Sequence, residues 1–497
     1  MVESARPHHR TAESPHTQKS NRAMWPKEQI KRVLMHRAKT NDVRRRRALA
    51  MTDHDLRPEQ WDAAVSERGH LTLGGCDAVD VAERFGTPLQ VVDLNRLRSN
   101  FQRFRNAFTY HYPKVDVGYS YKTNPLPAAI FALHKIGAWA EVISHFELWL
   151  ALELGVSPAN IVVNGPGKNR QMLELAVSKH ARIINVDNID ELEVLQQLCI
   201  KHDTTQDIGV RVVTSVGWSS QFGLSIRDGA ARSAFELARR NGRLNPRALH
   251  IHLGTGIRDV AIYLQAVREV LEFASTLKRD FGIAIDFFDF GGGFGVPTVK
   301  QYSSMDRWLM ANEDPPMAID VRDHPPIERY AEHISALVRE YCPASASDGP
   351  ALFFEPGRAV TSSAQTLLLQ VVAVKKGNGK ASSLILNGGV NVAMPLLWEY
   401  HEILAAGRLN DAHDWVYRVC GPLCHPGDVL AAAKRLPTLY AGDVVAVMDA
   451  GAYFVPNQMN FSNPRPAAIT VEDGVAELVR EHEPFAHIVS LDRNVSR

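Results

Sequence analysis

Short apolar runs alternate with amphipathic stretches along most of the chain after about residue 85. An apolar run of about four to eight residues predicts a buried strand, and spaced apolar positions after it predict a helix. The strands predicted in this way cover residues 89–92, 117–122, 140–143, 161–164, 182–186, 208–213, 249–253, 284–290 and 351–355. About eight strand–helix repeats over about 270 residues fit a (β/α)8 barrel, which typically takes about 250 residues. The pattern therefore predicts a TIM-like barrel over residues 89–365.

The pattern changes from about residue 366, where β-rich segments separated by Gly, Asn and Asp turns replace the strand–helix rhythm. We therefore predict an α/β fold that consists of the barrel and a C-terminal, mostly β domain over residues 366–497. Residues 56–88 are predicted to form an N-terminal segment that packs on the β domain. Residues 298–325 break the rhythm and are interpreted as an insertion between a strand and its helix, of the kind that can act as a lid.

The composition is that of a soluble globular protein, with 45% hydrophobic and 22% charged residues. At 497 residues the chain is longer than one hydrophobic core usually organises, so two domains are expected. No apolar run approaches the roughly 18 to 20 residues of a membrane span, so no membrane partner is expected. The five cysteines are odd in number and scattered, which is not a disulfide framework and favours a cytoplasmic location.

The first 50 residues are strongly basic, with 13 Lys or Arg against 4 Asp or Glu, and have little apolar periodicity. One interpretation is a tail that binds nucleic acid or a membrane surface. We favour a basic disordered extension over residues 1–55, or a true start at Met51, so a nucleic-acid partner is not expected. The segment lacks the apolar core of a secretory signal.

The most informative short segment is Tyr121-Lys122-Thr123-Asn124, which ends a predicted buried strand. A lysine at a strand end is usually a solvated surface charge. Three later segments change that interpretation, namely His252-Leu253-Gly254-Thr255, Asp289-Phe290-Gly291-Gly292-Gly293 and Glu355-Pro356-Gly357-Arg358. A lysine, a phosphate cradle and a carboxylate for a ring nitrogen are the groups needed to hold pyridoxal phosphate as a Schiff base.

Gly291, Gly292 and Gly293 follow an apolar strand, and Gly295 comes close behind. Residues without Cβ atoms let backbone N–H groups turn towards an anion. A plain turn between strand and helix is the alternative. The spacing is neither that of a dinucleotide-binding fingerprint nor that of a P-loop, whereas the late loops of barrels often bind phosphate.

Glu355 and Arg358 stand three residues apart across a Pro-Gly turn. A salt-bridged turn is the structural alternative. In the functional interpretation, Arg358 faces the phosphate and Glu355 faces the pyridine nitrogen. A carboxylate there keeps the ring nitrogen protonated, which makes the ring a strong electron sink.

His250 and His252 are two residues apart on a predicted strand and so share a face. A metal pair is conceivable, but no third ligand stands at a zinc-like spacing, so no metal is predicted. Stacking of an imidazole on an aromatic cofactor fits as well. Cys424, beside His425 on a predicted loop, is either an inert small hydrophobe or a proton donor.

Together these motifs resemble the fold-type III pyridoxal-phosphate decarboxylases, a family that includes diaminopimelate, ornithine and biosynthetic arginine decarboxylases and shares its barrel with alanine racemase. The resemblance runs from about residue 70 to the C-terminus. It implies that Lys122 carries the cofactor and that Glu147 lies at an acidic position nearby. It also implies that His252 stacks on the ring and that Glu355 pairs with the ring nitrogen.

The same resemblance implies a phosphate site made by Thr255, Gly291, Gly292, Gly293, Arg358 and Tyr453. The family active site lies at a dimer interface. The resemblance therefore implies an obligate homodimer with shared active sites, in which Cys424 reaches in from the partner subunit.

Departures from the family pattern concern the substrate end of the site. The diaminopimelate enzymes have Arg-Pro-x-Leu-Tyr, whose Arg and Tyr bind the far end of the substrate. This chain has Met394-Pro395-Leu396-Leu397-Trp398 there, so both of these side chains are missing. Their Cys-Glu-Ser-Gly-Asp is Cys424-His425-Pro426-Gly427-Asp428 in this chain, which removes an acid. The Asp that the ornithine enzymes use in Asn-Asp-Gly-Val is glycine in Asn387-Gly388-Gly389-Val390.

A substrate whose charges stay unpaired in such a pocket binds less favourably, by several kcal/mol of binding free energy. The pocket residues Met394, Trp398, His425 and Asp428 therefore predict a larger amino-acid conjugate, as in specialised-metabolite pathways, instead of diaminopimelate, lysine or ornithine. The predicted reaction is decarboxylation through an external aldimine and a quinonoid, with Cys424 of the partner reprotonating Cα. The alternatives are a pyridoxal-phosphate amino-acid racemase and diaminopimelate decarboxylase proper.

Overall fold

The computed structural model describes residues 56–343, 349–377 and 382–493, together with residues 29, 32–37, 40 and 41. The chain forms two compact units, Met1–Met51 and Thr52–Arg497. In the first unit, residues 32–37 are helical. The basic extension predicted for residues 1–55 otherwise lies outside the described residues. All elements named below belong to the second unit.

The N-terminal elements form a small three-stranded sheet and lead to a helix and a longer strand. They are β1 (Ala64–Val65), β2 (Leu71–Leu73), β3 (Cys76–Asp77), α1 (Ala78–Phe85), β4 (Leu89–Asp93) and α2 (Leu94–His111).

Strand–helix repeats make up the middle of the chain. They are β5 (Val115–Ser120), α3 (Pro127–His134), β6 (Trp139–Val142), α4 (His145–Glu153), β7 (Ile161–Val163), α5 (Arg170–Ser178), β8 (Ile183–Val186), α6 (Asp190–Lys201), β9 (Gln206–Val213), β10 (Leu224–Ser225), α7 (Ala230–Arg240), β11 (Leu244–His250), α8 (Val260–Phe281), β12 (Phe287–Asp289), β13 (Lys300–Gln301), α9 (Ser304–Ala311), α10 (Ile327–Tyr341), β14 (Ala351–Phe354) and α11 (Arg358–Thr361).

The C-terminal part is almost entirely β-structure. It consists of β15 (Gln365–Lys375), β16 (Ser382–Leu386), β17 (Glu399–Tyr400), β18 (Ile403–Ala405), β19 (Trp415–Cys420), β20 (Val429–Leu436), β21 (Val444–Val447), β22 (Ala467–Glu472), β23 (Val475–Arg480) and a short helix α12 (Phe485–Ile488).

Eight parallel strands close into a barrel in this part of the described chain. Their order is β9-β11-β12-β14-β5-β6-β7-β8, and pairing of β8 with β9 closes the ring. A cluster of five apolar side chains comes from five different strands, so these side chains can meet only inside the ring; they are Val162, Ile183, Ala248, Phe287 and Phe353. The predicted (β/α)8 barrel with a second, β-rich domain is confirmed.

The strand Leu89–Asp93 does not belong to the barrel, so the prediction that the barrel begins with it was wrong. β4 pairs antiparallel with β15 and parallel with β22, inside the C-terminal sheet. The first barrel strand is β5. A strand followed by a helix has the local pattern of a barrel repeat, but the sheet that the strand joins depends on partners hundreds of residues away.

The C-terminal sheet runs in the order β20-β19-β16-β15-β4-β22-β23, and β21 bridges β15 and β18. The N-terminal segment shares a hydrophobic core with this sheet, where Leu71 and Val81 are buried together with Leu368 and Ile469. The insertion predicted for residues 298–325 lies between β12 and α10, and its strand β13 pairs with β17. The insertion is thus attached to the second domain along Glu399–Tyr400. No described helix is both long enough and apolar enough to cross a membrane.

Candidate active site

The carboxyl ends of the barrel strands bring the predicted catalytic residues, except Cys424, to one mouth. Lys122 follows β5 in a short 3₁₀ turn, and Glu355 and Arg358 follow β14, which neighbours β5 in the ring. His252 follows β11, and Gly291–Gly293 follow β12. Because parallel strands end at the same rim, these loops lie together, where barrel enzymes build their sites.

Lys122 is held by a buried carboxylate that the sequence motifs did not single out. Its Nζ donates to Oε2 of Glu141, on β6, over 2.8 Å. The Glu141 side chain is 1% exposed, and its Oε2 also accepts from Ser120 Oγ over 2.5 Å. Burial opposes the charge on Lys122, but Glu141 and Glu355 outweigh it and raise the pKa of the lysine. The lysine is therefore a charged amine beside a carboxylate that can accept its proton.

Glu355 is a buried carboxylate between two histidines. Its Oε1 lies 3.5 Å from His250 Nε2, and its Oε2 lies 3.5 Å from His252 Nδ1. Burial favours the neutral acid, but His250, His252 and Lys122 outweigh it and hold the pKa of Glu355 below its usual range. Burial also lowers the pKa of His250 well below its usual value, although Glu355 opposes the fall. An ionised Glu355 is the state needed to hold a proton on a ring nitrogen.

Two buried asparagines join the carboxylates of the site into one network. Asn164, which follows β7, donates through Nδ2 to Glu141 Oε1 over 3.0 Å and to Glu355 Oε1. Asn185, on β8, donates through Nδ2 to Asn164 Oδ1 over 2.9 Å and to Asp289 Oδ2 over 3.1 Å. Neither asparagine stands out in the sequence, where Asn164 shows only as a polar residue after an apolar run and Asn185 as one within an apolar run.

His250, Asp289 and Glu355 approach one another within 4.8 Å, a spacing that also suits a metal ion. The carboxylates, however, already accept hydrogen bonds from the two asparagine amides, and Asp289 Oδ1 accepts from the N–H of Gly291 over 3.0 Å. Burial and the neighbouring Glu355 raise the pKa of Asp289 well above its usual value. A proton on Asp289 therefore removes one of the two negative charges of this pair.

The glycine-rich loop lies tightly against the loop that follows β11. Gly291 and Gly293 have φ angles of +66° and +87°. A Cβ at Gly291 would lie 2.2 Å from the carbonyl oxygen of Ile251, and one at Gly293 would lie 2.4 Å from that of Gly254. Any larger residue would push the two loops apart, so glycine is required for this cradle. Thr255, in the facing loop, is half-buried.

Arg358 supplies a positive charge beside this cradle. Its Nη2 donates to Glu399 Oε1 over 2.6 Å, and its Cζ lies 5.5 Å from the ring centre of Tyr453. Its Nη1 is buried without a hydrogen-bond partner in the described part of the chain. Tyr453 has a φ of +68°, which is uncommon for such a residue, and its N–H donates to Thr123 O over 2.8 Å. A buried free N–H beside a glycine cradle fits the phosphate of pyridoxal phosphate.

Cys424, which was predicted to be catalytic, and the predicted substrate residues lie on two other segments. Cys424 and His425 are exposed on the loop between β19 and β20, and no hydrogen bond or ion pair recorded for Lys122 in the described residues involves them. Asp428 is buried. Met394 and Trp398 are half-buried around a 3₁₀ turn (Met394–Leu397) that leads into β17.

Glu147, which was expected near the lysine, is buried in the first turn of α4. Its Oε2 accepts the N–H of Ile143 over 2.8 Å. Burial raises the pKa of Glu147 from 4.5 to about 7, although the hydrogen bond from Ile143 opposes the rise. The folded chain therefore binds a proton at Glu147 over a pH range in which the unfolded chain has lost it.

This proton predicts a dependence of stability on pH. Between about pH 4.5 and about pH 7 the folded state binds more protons, so the contribution of Glu147 to stability falls as the pH rises. Relative to Glu147→Gln, the wild-type chain is expected to lose up to about 3 kcal/mol across that range. Urea unfolding at several pH values measures the difference, with Glu153→Gln, an exposed site on the same helix, as the control. Parallel curves for wild type and Glu147→Gln would contradict the assignment.

The fold and the site together define a barrel enzyme that uses pyridoxal phosphate. The family model described as "Pyridoxal-dependent decarboxylase, pyridoxal binding domain" matches residues 94–362, and the chain belongs to this family. It is a pyridoxal-phosphate-dependent carboxy-lyase that decarboxylates an amino acid, as the sequence predicted. The family favours decarboxylation over the racemase alternative.

Relatives of known function resemble the chain over most of its length. It is 30% identical to the diaminopimelate decarboxylase of Methanothermobacter thermautotrophicus, over 86% of this chain and 96% of that one. It is also 30% identical to the Bacillus subtilis diaminopimelate decarboxylase, with the same shares covered. The crystal structure of diaminopimelate decarboxylase from M. jannaschii matches with a TM-score of 0.78 at 26% identity, covering 88% of this chain and 99% of that chain.

A lysine decarboxylase from Selenomonas ruminantium shares the fold. Its crystal structure matches with a TM-score of 0.65 at 22% identity, covering 82% of this chain and 96% of that chain.

Proposed function

We propose that this chain decarboxylates an amino acid or amino-acid conjugate whose distal end is uncharged, and that diaminopimelate is not its substrate. The observation that carries the proposal is the sequence of the segments with which the diaminopimelate enzymes bind the distal end of their substrate. Met394 and Trp398 stand in place of an Arg and a Tyr, and His425 stands in place of a Glu. Apolar side chains cannot pair a distal carboxylate, and an unpaired charge in a pocket is costly.

The surroundings of Asp428, the acid retained in this segment, support the proposal. Its Oδ1 accepts the N–H of Val390 and its Oδ2 accepts the N–H of Leu423, each over 2.8 Å. A Cβ at Gly389 would lie 2.1 Å from Oδ1, so the carboxylate is enclosed by backbone. Asp428 therefore holds two loops together and is not free to pair a distal ammonium group.

In this proposal Lys122 forms the covalent link to the cofactor, and His252 stacks on its ring. The phosphate is held by the cradle and its neighbours, namely Thr255, Gly291, Gly292, Gly293, Arg358 and Tyr453. When bound, pyridoxal phosphate supplies the electron sink for the electron pair left after loss of CO₂. Glu355 holds the proton on the ring nitrogen, and Glu141 accepts the proton that Lys122 must lose before it can act as a nucleophile.

We also propose a homodimer in the cytoplasm, in which Cys424 of each subunit serves the site of the other. Two observations support it: Cys424 is exposed on its loop, and all five cysteines of the chain are free thiols. Complementation tests the shared site. Mixed Lys122→Ala and Cys424→Ala subunits regain activity if the site is shared, and they stay inactive if each subunit is self-contained.

The substrate test compares CO₂ release from diaminopimelate, L-lysine, L-ornithine and Nε-acetyl-lysine, the last as a probe with a neutral distal end. We expect kcat/KM for the neutral probe to exceed that for diaminopimelate by at least about tenfold, because the charged end finds no partner. The combined variant Met394→Arg, Trp398→Tyr and His425→Glu should reverse this order. Wild-type turnover that is fastest with diaminopimelate would refute the proposed substrate class and leave the decarboxylase assignment intact.

A further inference from the structure

The carboxylate that holds the lysine and the carboxylate proposed for the ring nitrogen are connected through a single side chain. Asn164 Nδ2 donates to Oε1 of Glu141 over 3.0 Å and to Oε1 of Glu355. All three residues are at most 2% exposed. An amide nitrogen has two N–H groups, so one goes to each carboxylate and none is left over.

The orientation of this amide follows from its partners. Both groups on the Nδ2 side are carboxylates that can only accept, and the group that meets Oδ1 is the Nδ2 of Asn185, which donates over 2.9 Å. A flipped amide would set an oxygen against two acceptors and a nitrogen against a donor. Asn185 in turn donates to Asp289 Oδ2 over 3.1 Å. The donor and the acceptor are therefore determined for each hydrogen bond that Asn164 and Asn185 make with the carboxyl groups and with each other.

The charges around the amide explain why a neutral donor is needed there. The carboxyl groups of Glu141, Glu355 and Asp289 lie together in the site. Among the described residues Lys122 contacts Glu141, and the rings of His250 and His252 lie 3.5 Å from Glu355. Burial and Glu355 raise the pKa of Asp289 well above its usual value. Glu141 and Glu355 are two further buried carboxyl groups, and burying such groups is costly unless hydrogen bonds meet them.

We propose that Asn164 is a positioning residue that fixes the lysine's carboxylate partner and the ring-nitrogen carboxylate relative to each other. An amide N–H donates strongly but does not release its proton. Asn164 therefore couples Glu141 and Glu355 in geometry while preventing a proton from passing between them. The proposal rests on the proposed roles of Lys122 and Glu355, and it is independent of the substrate.

The test measures the affinity of the apoprotein for pyridoxal phosphate and the pH profile of the bound cofactor's visible absorbance. Asn164→Ala removes both donations and should weaken binding by about tenfold or more at every pH. Asn164→Asp sets an acceptor against two carboxylates, so it should bind still more weakly at neutral and alkaline pH. Acidification should partly restore its binding, since the introduced carboxyl group can donate again once it is protonated.

Gln206→Glu is the matched control, because it makes the same amide-to-acid change at a buried site. In the wild-type chain the Nε2 of Gln206 donates to the carbonyl oxygens of Ala181 and Asp207 at the opposite end of the barrel, over 2.8 Å and 2.9 Å. Cofactor affinity should stay within about twofold of wild type, since this end of a barrel serves stability. Asn164→Ser, which retains one donor, should fall between wild type and Asn164→Ala, and it replaces Asn164→Ala if that variant does not fold.

Two outcomes would overturn the inference. One is wild-type affinity and an unshifted absorbance profile in both Asn164→Ala and Asn164→Asp. The other is an equal loss in both variants with no recovery on acidification, which is the behaviour of a purely structural residue. If borohydride reduction of the wild-type protein attaches the cofactor to a residue other than Lys122, the proposed site fails and the inference fails with it.

Discussion

Lys122→Ala is expected to abolish both the visible absorbance of bound cofactor and CO₂ release. Without its ε-amine the site cannot form the covalent link, and the loss of rate should be at least about a thousandfold. The same change leaves the buried Glu141 without its cation, which costs about 3 kcal/mol or more of stability. Absorbance spectra, CO₂ release and thermal melts of the apoprotein measure the three effects separately.

Lys122→Arg separates chemistry from stability, because a guanidinium keeps the positive charge beside Glu141 but cannot form the link. It should melt near the wild-type temperature and yet be colourless and inactive. If Lys122→Arg turns over substrate at a substantial rate, or if Lys122→Ala retains the absorbance, the lysine is not the point of attachment.

Much of the barrel could be predicted because its signals are local. A buried parallel strand shows as an apolar run, and residues just after it must lie at the rim whatever the details of packing. That rule alone brings Lys122, Glu355 and Gly291 to one mouth. It needs only the strand assignments and no knowledge of which strands are neighbours.

The parts that could not be predicted depend on partners distant in the chain. β4 has the local pattern of a barrel repeat, yet its partners are β15 and β22. Asn164 and Asn185 show as single polar letters, and their roles appear only when the closed barrel brings Asn164 beside Glu141 on the neighbouring strand and Asn185 across the interior to Asp289. Register between strands, which determines this alignment, is not visible in either strand by itself.

Glu399 is a further case of this kind. The segment predicted to line the substrate pocket ends at Trp398, one residue before the side chain that pairs with Arg358 at 2.6 Å. The pairing of β13 with β17 fixes the segment that carries Glu399, and β13 belongs to an insertion that was predicted only as an interruption. The insertion therefore bears on the proposed phosphate site, because it pairs with the segment that carries Glu399.

Glu355→Gln is expected to separate cofactor binding from turnover. The amide keeps the size of the side chain and can still meet Asn164, but it is neutral and cannot hold a proton on the ring nitrogen. The rate of CO₂ release should fall by about a hundredfold to a thousandfold, as for loss of a preorganised electrostatic group. Since Lys122 and Arg358 are untouched, the variant should still bind the cofactor and remain coloured.

The change also alters Lys122, whose pKa Glu355 helps to raise. Removing that charge lowers the pKa of the lysine, so the apoprotein variant should take up the cofactor at a lower pH than wild type. Asp289→Asn provides the comparison, because the adjacent carboxyl carries a proton and its replacement by a neutral amide removes no charge. It should lose far less activity than Glu355→Gln. A larger loss in Asp289→Asn than in Glu355→Gln would mean that the proton lies on Glu355, and the assignment of the ring-nitrogen partner would then have to be reversed.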